Sequence, residues 1–460
     1  MAWALAVAFG TLTLLLPALW NGFALVFFDT GGYIDRAVEM SLYPGRSVFY
    51  GLFLWLTSLG WWFFWGPIIC KSILCLWVIH LILRCHHLPS GPMSTTLACI
   101  ALSLATGISW YTSQLMPDIL VAVAVLALWL LFSSWTLLGR WERSGLMAAT
   151  LLALVSHNSC LALAIGLLLV MALLKLVMLR LKRRVSLHLL SPAALVAAAL
   201  LIIPAGNWAV SGKLTYSSGG EAFLFARLVQ AGIAQRWLAE NCPVAHVKLC
   251  SLQKNIPTTS DEFLWSRTSP FQALGDWTGR AAREELGFLV EETVKEYPGW
   301  VLWSSLEATV DQFLMLETGD GLDNYQDYTR KVFSRLSPQI AEDFNAADQQ
   351  RRGITQSLFD RLNRVHLPIA YGSLLGLFLV TVAGIRHRQY EMAALAGYVL
   401  IALWGNAFIC GALSSPFDRY QSRLVWLATL VVGMAVATWW RQYRREGVTP
   451  LLSPSSPAPG

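Results

Sequence analysis

About ten apolar runs, most of them near the length needed to cross a bilayer, constrain this chain more than any other feature of its sequence. They fall at residues 4–27, 67–84, 94–111, 118–138, 145–156, 160–180, 188–209, 366–385, 392–412 and 424–440. A helix needs about 20 apolar residues to span hydrocarbon, so the runs predict an all-α polytopic membrane protein with about ten transmembrane helices. Composition agrees: only 13% of the residues are charged, against roughly 25% in soluble domains. The fifth run is short and shares one long stretch with the sixth. Ser156-His157-Asn158-Ser159 divides them and can serve as a tight turn; one over-long helix is the alternative.

Charge placement then orients the spans. Arg84, Arg140 with Arg143, the run Arg180-Leu181-Lys182-Arg183-Arg184, Arg386 with Arg388, and Arg441 with Arg444-Arg445 alternate with loops poorer in basic residues. Ten spans place all five clusters on one side, which the positive-inside rule makes the cytoplasm, with both termini there. The net charge of +6 is scattered in short clusters and forms no continuous basic face, so no nucleic-acid partner is expected. Residues 1–28 lack the basic n-region and small-x-small site of a cleavable signal, so a retained first span is expected.

The organisation that follows has an N-terminal transmembrane module at 1–209, with a first periplasmic loop at 28–66. A mostly helical periplasmic insertion occupies 210–365, C-terminal transmembrane helices occupy 366–445, and a Pro/Ser-rich disordered cytoplasmic tail runs over 446–460. Within the insertion, helices are expected at 221–240, 280–297, 300–316 and 322–348. The third is amphipathic with two Trp and suited to resting on the membrane. The acidic segments at 261–265 and 317–327, which include Asp320, Asp323 and Asp327, read as solvated turns without calcium-loop spacing. Six of the eight cysteines lie in or beside apolar runs. Cys242 and Cys250 form the pair in the water-facing loop, and their short spacing beside Pro243 suits a disulfide in an oxidising compartment such as the periplasm. Unpaired thiols are the alternative; zinc is disfavoured because only His246 lies nearby.

Chemistry concentrates on the outer face. Asp29 directly follows the first run and precedes Thr30-Gly31-Gly32-Tyr33. Residues 33–40 suit a short amphipathic helix with Asp35 and Glu39 on one face. The loop continues through Tyr43-Pro44-Gly45-Arg46-Ser47 into residues 48–59, an apolar piece too short to span, which ends in the cluster Trp61-Trp62-Phe63-Phe64-Trp65 and suits a helix lying along the interface. Met116-Pro117-Asp118 opens the fourth run, and Asp418-Arg419-Tyr420 precedes the last. Span interiors are nearly charge-free apart from Lys71 and Lys175 near ends. No Walker-type phosphate loop, HExxH or GxSxG motif is present.

This order of features resembles the GT-C superfamily of membrane glycosyltransferases, the group that contains aminoarabinose transferases and protein O-mannosyltransferases. The resemblance covers most of residues 1–210 and the Arg419-Tyr420 element. It implies transfer of a sugar from a polyprenyl-phosphate-linked donor to a glycan or lipid acceptor at the periplasmic face of a bacterial inner membrane. By position, the family's catalytic acidic residue falls on Asp29, which would take the acceptor's hydroxyl proton. Asp35, Arg46, Tyr111, Gln114, Asp118, His157, Asn158, Arg419, Tyr420 and Arg423 are the expected substrate-binding residues, with Arg46, His157, Arg419 and Arg423 suited to the phosphate. No metal-ligand set is assigned. The first loop lacks the adjacent Asp-Glu pair of many members, so the resemblance leaves a divalent cation only as an option. His157 stands where the aminoarabinose branch has a lysine. Other readings are a transporter or flippase of lipid-linked glycans, which wants ionisable residues deep in several spans, and a non-catalytic partner in envelope polysaccharide assembly.

Overall fold

A computed structural model describes the chain except for residues 42–44, 184–185, 218, 243, 245–246, 276–278, 323–326 and 449–460. Tyr43, Pro44, Arg184, His246, Asp323 and most of the expected tail therefore lie outside the described residues. Among the described residues the fold is helical, with one isolated bridge between Leu25 and Gln114. Among the described residues six helices are long and apolar enough to cross a membrane: Trp65–Cys85, Asn158–Arg180, Leu190–Ser211, Gln356–Arg386, Tyr390–Leu413 and Asp418–Arg444. Their outward sides stay apolar. Leu169, Leu173, Leu176 and Leu179 of Asn158–Arg180 are all exposed, a strip that suits lipid and not water. The protein is membrane-embedded.

The other four apolar runs fold as shorter pieces, for local reasons. Ala2–Leu14 stops at Leu15, and Leu16–Asn21 restarts with Pro17 in its first turn, where the missing N–H costs no hydrogen bond. Pro92–Ala105 stops at an extended Thr106, and the short helix Ile108–Thr112 follows. Asp118–Ser133 gives way to a 3₁₀ turn at Trp135–Leu137, and Arg140–Ser156 begins with a charged turn.

His157 alone separates Arg140–Ser156 from Asn158–Arg180, in an extended conformation (φ −145°, ψ 118°). The segment after Asn158–Arg180 packs on the end of Asp118–Ser133 and the 3₁₀ turn: His188 donates its N–H to the Phe132 carbonyl and stacks its ring 3.8 Å from Trp135, whose carbonyl accepts from Arg143 at the start of Arg140–Ser156. The tight turn forms, and the single long helix does not. At that same end Arg84 grips Glu142 with two bonds of 2.6 and 2.7 Å, Arg441 donates to the His87 carbonyl, and Trp3 packs edge-on against His80. Arg84, Arg143 and Arg441 thus share one end of the bundle, and Asp29, His157 and Arg419 the other.

Between Leu190–Ser211 and Gln356–Arg386 the chain leaves the bundle. Gly220–Gln230, Ile233–Asn241, Ser260–Trp265 and Arg280–Glu296 enclose a second core containing Phe225, Trp237, Phe263, Phe271 and Leu289. The expected 221–240 helix is broken at Gly232, whose φ of +73° suits glycine. The expected 322–348 helix becomes Asp327–Leu336, Pro338–Ala346 and Asp348–Arg351, interrupted where Pro338 starts a new helix. Cys242 and Cys250 are disulfide-bonded, with Cα atoms 5.3 Å apart.

Pro298–Leu314 ties this insertion to the bundle. Phe313 stacks on Trp404 at 4.0 Å, and buried Arg227 donates to the carbonyls of Ser304 (2.7 Å) and Gly411 (3.2 Å). Trp300, Trp303, Leu306 and Val310 stay exposed on this helix, as do Trp404 and Phe408 of its neighbour. Close approach depends on Gly411, where an added Cβ would lie 2.3 Å from the Ala308 carbonyl oxygen. Backbone on both sides leaves nothing flexible to yield. Gly411→Val should therefore cost about 1–3 kcal/mol in thermal unfolding of the purified protein. Gly166→Val, which meets open space, should cost nearly nothing, and equal losses would refute the packing argument.

Candidate functional site

After Gly22 the chain runs extended, and neighbours hold it on two sides. Leu25 donates to the Ser113 carbonyl (2.9 Å) and accepts from Leu115 (2.8 Å), while the Gln349 amide brackets Val26 at 3.0 and 2.9 Å. Phe27 then donates to the Thr30 hydroxyl (2.9 Å), which opens the helix Thr30–Glu39. Asp29 is left at the mouth of that helix with its carboxylate turned inward. Arg46 donates to its Oδ1, and Arg419 to its Oδ2 at 3.4 Å. The Arg419 guanidinium also lies 4.0 Å over the Phe27 ring and 4.9 Å over Tyr420. All three charged side chains keep only 11–15% exposure, enough to meet a ligand and little enough to strengthen their electrostatics.

Arg419 sits in the first turn of Asp418–Val448, which is clasped to the insertion. Asp320 Oδ2 accepts from the Arg419 N–H (3.1 Å), and Asp418 Oδ1 accepts from the Glu317 N–H (2.7 Å). Thr318 between them is fixed by Asn363 (2.9 and 3.2 Å) and by the His366 ring (3.0 Å). Gly321, at φ +69°, lies so close to Phe27 that a Cβ would meet its ring at 2.0 Å. Only glycine lets this loop lie against the wall of the site.

Beneath this layer lies a second cluster. Arg423, fully buried, donates to Asp118 Oδ1 (3.0 Å), His157 Nε2 (3.2 Å), Ser159 Oγ (3.1 Å) and Asn406 Oδ1 (3.3 Å). Arginine can only donate, so His157 Nε2 accepts and its proton resides on Nδ1, within 2.8 Å of Ser159 Oγ. Lys71, also buried, donates to the carbonyls of Gln114 and Met116 (the latter at 2.9 Å) and so fixes the turn that opens Asp118–Ser133. Tyr111 bonds the Ser422 hydroxyl.

Above Asp29 a cavity of about 420 Å³ opens toward the insertion, within the range of small-molecule sites. Asp29, Arg46, Arg419 and Tyr420 line its bundle side; Asp261, Trp265 and Asp320 line the other. Of the residues expected from sequence, these first four face the cavity, and Tyr111, Asp118, His157 and Arg423 lie below it. Gln114 serves through its backbone, in the bond to Lys71 and the bridge to Leu25. Asn158 lines a narrow neighbouring pocket with Arg36, Arg46 and Asn207. Asp35 is elsewhere: it bonds Arg335 (2.5 Å) and Tyr328 (2.5 Å), and the same arginine takes Glu39 at 3.0 Å. That contact docks the first loop on the insertion.

Three cavity residues were not legible. Asp261, Trp265 and Asp320 read as parts of solvated acidic turns, yet they form the cavity's far wall. Burial and nearby Asp320 hold the Asp261 carboxyl above its usual range, against the pull of Arg419. Among the described residues no three His, Cys, Asp or Glu side chains converge as metal ligands. Asp29 is further surrounded by two guanidiniums, a poor setting for a divalent cation. No protein-family model, curated protein or solved structure matches the chain.

Proposed function

We propose that the protein is a membrane glycosyltransferase, similar in plan to the GT-C superfamily, acting at the periplasmic face of a bacterial inner membrane. In this reading the chain crosses the bilayer ten times, the four runs of shorter helices completing the six long ones, and both termini are cytoplasmic. The observation that carries it is the Asp29 carboxylate shared between Arg46 and Arg419 on the floor of a cavity at the end of the bundle away from the basic clusters. A sugar bound to polyprenyl phosphate needs cations for its phosphate and a carboxylate for the incoming hydroxyl. Both are present within one salt-bridge's reach.

The arginines serve as the phosphate's partners and Asp29 as its placeholder. An arriving donor phosphate competes for the same guanidinium protons. As Arg46 and Arg419 turn toward it, the Asp29 oxygens come free beside the anomeric carbon. Asp29 then takes the acceptor's hydroxyl proton as the new C–O bond forms and the bond from carbon to phosphate oxygen breaks. The polyprenyl phosphate leaves carrying its extra negative charge, which the two arginines neutralise. Arg423, pinned by Asp118 and His157, keeps the Arg419-Tyr420 turn at the right height.

A flippase would want ionisable groups strung across several spans. Lys71, Asp118 and Arg423 are buried in helices, more charge than the sequence suggested, but each is locked into bonds near the cavity end. A fixed network suits a site better than a path.

The test is mass spectrometry of envelope glycolipids and polysaccharides from a strain lacking the protein and its complemented parent. One sugar should disappear from the envelope while its polyprenyl-phosphate form accumulates. An unchanged sugar profile would remove the transferase reading, and loss of the sugar without donor accumulation would point to an assembly partner.

A further inference from the structure

The helix Pro298–Leu314 carries its polarity in the reverse of a water-soluble pattern. Its buried side holds Ser304, Ala308, Thr309 and Gln312, with Phe313 as its large apolar residue. Its outward side carries Leu302 (62% exposed), Leu306, Val310 and Leu314. Each lies four residues from the next, so they form one ridge along the helix. The preceding helix of the same insertion, Arg280–Glu296, is ordinary. It buries Ala282, Leu286 and Leu289 and turns Glu284, Glu291 and Lys295 outward.

Beside the apolar ridge runs a second one, Trp303, Glu307 and Asp311, also at spacings of four. Trp303 donates its indole N–H to the Glu307 carboxylate at 2.6 Å, and both acidic residues are exposed. The helix therefore has three faces: one packed on protein, one apolar and bare, and one acidic along its border. A helix lying in a bilayer interface is built this way, with its apolar ridge among acyl chains and its charged border in water. Its neighbour on the protein side is itself a membrane helix. Ala308 meets Gly411 of Tyr390–Leu413, and Phe313 stacks on Trp404 at 4.0 Å. Ile401, Trp404 and Phe408 share a face of that helix and are exposed, so the apolar surface continues onto a span.

We propose that Pro298–Leu314 lies in the bilayer leaflet at the cavity end of the bundle, with lipid acyl chains as the partner of the ridge Leu302, Leu306, Val310 and Leu314. At 17 residues it is too short to span and lies along the leaflet. The insertion is thus held to the membrane by a line of side chains as well as by its two ends. Gln312, on the buried side, accepts from the Phe417 N–H (3.0 Å) and donates to the Phe417 carbonyl (2.8 Å). Phe417 lies one residue before the helix that carries Arg419, so the depth of Pro298–Leu314 in the leaflet sets the level of the cavity floor. None of this depends on the transferase reading.

The experiment is spin-label EPR on the full-length protein in liposomes of phosphatidylcholine and phosphatidylglycerol. Leu302→Cys, Leu306→Cys, Val310→Cys, Glu307→Cys and Asp311→Cys are labelled one at a time in a Cys70→Ser parent, because Cys70 is an exposed free cysteine. Collision with oxygen, which concentrates in lipid, should exceed collision with a water-soluble nickel chelate severalfold at 302, 306 and 310. The order should reverse at 307 and 311. Free access of the nickel chelate at all five positions would overturn the proposal. So would dipolar broadening at 302, 306 and 310 without oxygen access, which would make the ridge an interface between two copies of this chain. Thermal unfolding checks each variant, and the three ridge positions are read independently, so the loss of one to misfolding leaves two that decide.

Discussion

Asp29→Asn should lower sugar transfer by about 10²–10⁴-fold, the range lost with a positioned proton acceptor. The amide keeps the shape of the carboxylate but cannot take the hydroxyl proton. It also leaves Arg46 and Arg419 without their shared counter-charge, so the variant must be read on two axes. If Asp29 is the base, turnover collapses while the donor still binds, because the arginines are freer to meet the phosphate. If Asp29 only positions the arginines, donor affinity changes and turnover at saturation survives. Donor turnover in isolated membranes, followed as release of polyprenyl phosphate, separates the two. Asp29→Glu should fall between, since its extra methylene enters a cleft bounded by Phe27 and Gly32. Near-normal envelope sugars in an Asp29→Asn strain at matched protein level would end the catalytic assignment.

Breaking the buried pair beneath should give the largest loss of stability. Asp118→Asn leaves Arg423 fully buried and without its anionic partner. Removing one member of such a pair costs about 3–5 kcal/mol, because the remaining charge stays desolvated. Arg423→Met should cost a similar amount, with Asp118 now the stranded ion. The double variant Asp118→Leu/Arg423→Met should cost far less than the two singles together, since neither member of the pair is left stranded. Unfolding of the detergent-solubilised protein measures all three. Strict additivity would mean that the two side chains do not act as a pair, and that His157, Ser159 and Asn406 carry Arg423 alone.

How legible this molecule is from sequence depends on the range of the interaction involved. The apolar runs forecast the membrane helices, because hydropathy is written along the chain. Their breaks were less visible: the stop at Thr106 and the one-residue turn at His157 depend on what packs around them. Asp29, Arg46, Arg419 and Tyr420 were legible because each sits at the end of an apolar run, where a charge is conspicuous. Asp261 and Trp265 sit in a polar segment where a charge is ordinary, and bonds to distant residues, Gln230 and Ser415 among them, fix their helix beside the cavity. Asp35 shows a partner that sequence does not reveal. Its place beside Asp29 suggested a ligand contact, but Arg335 of the insertion claims it. Lys71 looked like a residue near a helix end, and its carbonyl partners were invisible until the 114–116 turn was in place.

The two clusters also set an order of assembly during synthesis. Arg419 bonds Asp29 across 390 residues, and Arg423 bonds Asp118 across 305. At ordinary translation speeds of about 5–20 residues per second, such a gap is on the order of half a minute. For that interval the early helices hold Asp118 without its guanidinium, and Lys71 is the cation already made whose charge reaches it. The helix Asp418–Val448 therefore completes both clusters. A chain that lacks this helix carries Asp29 without Arg419 and Asp118 without Arg423.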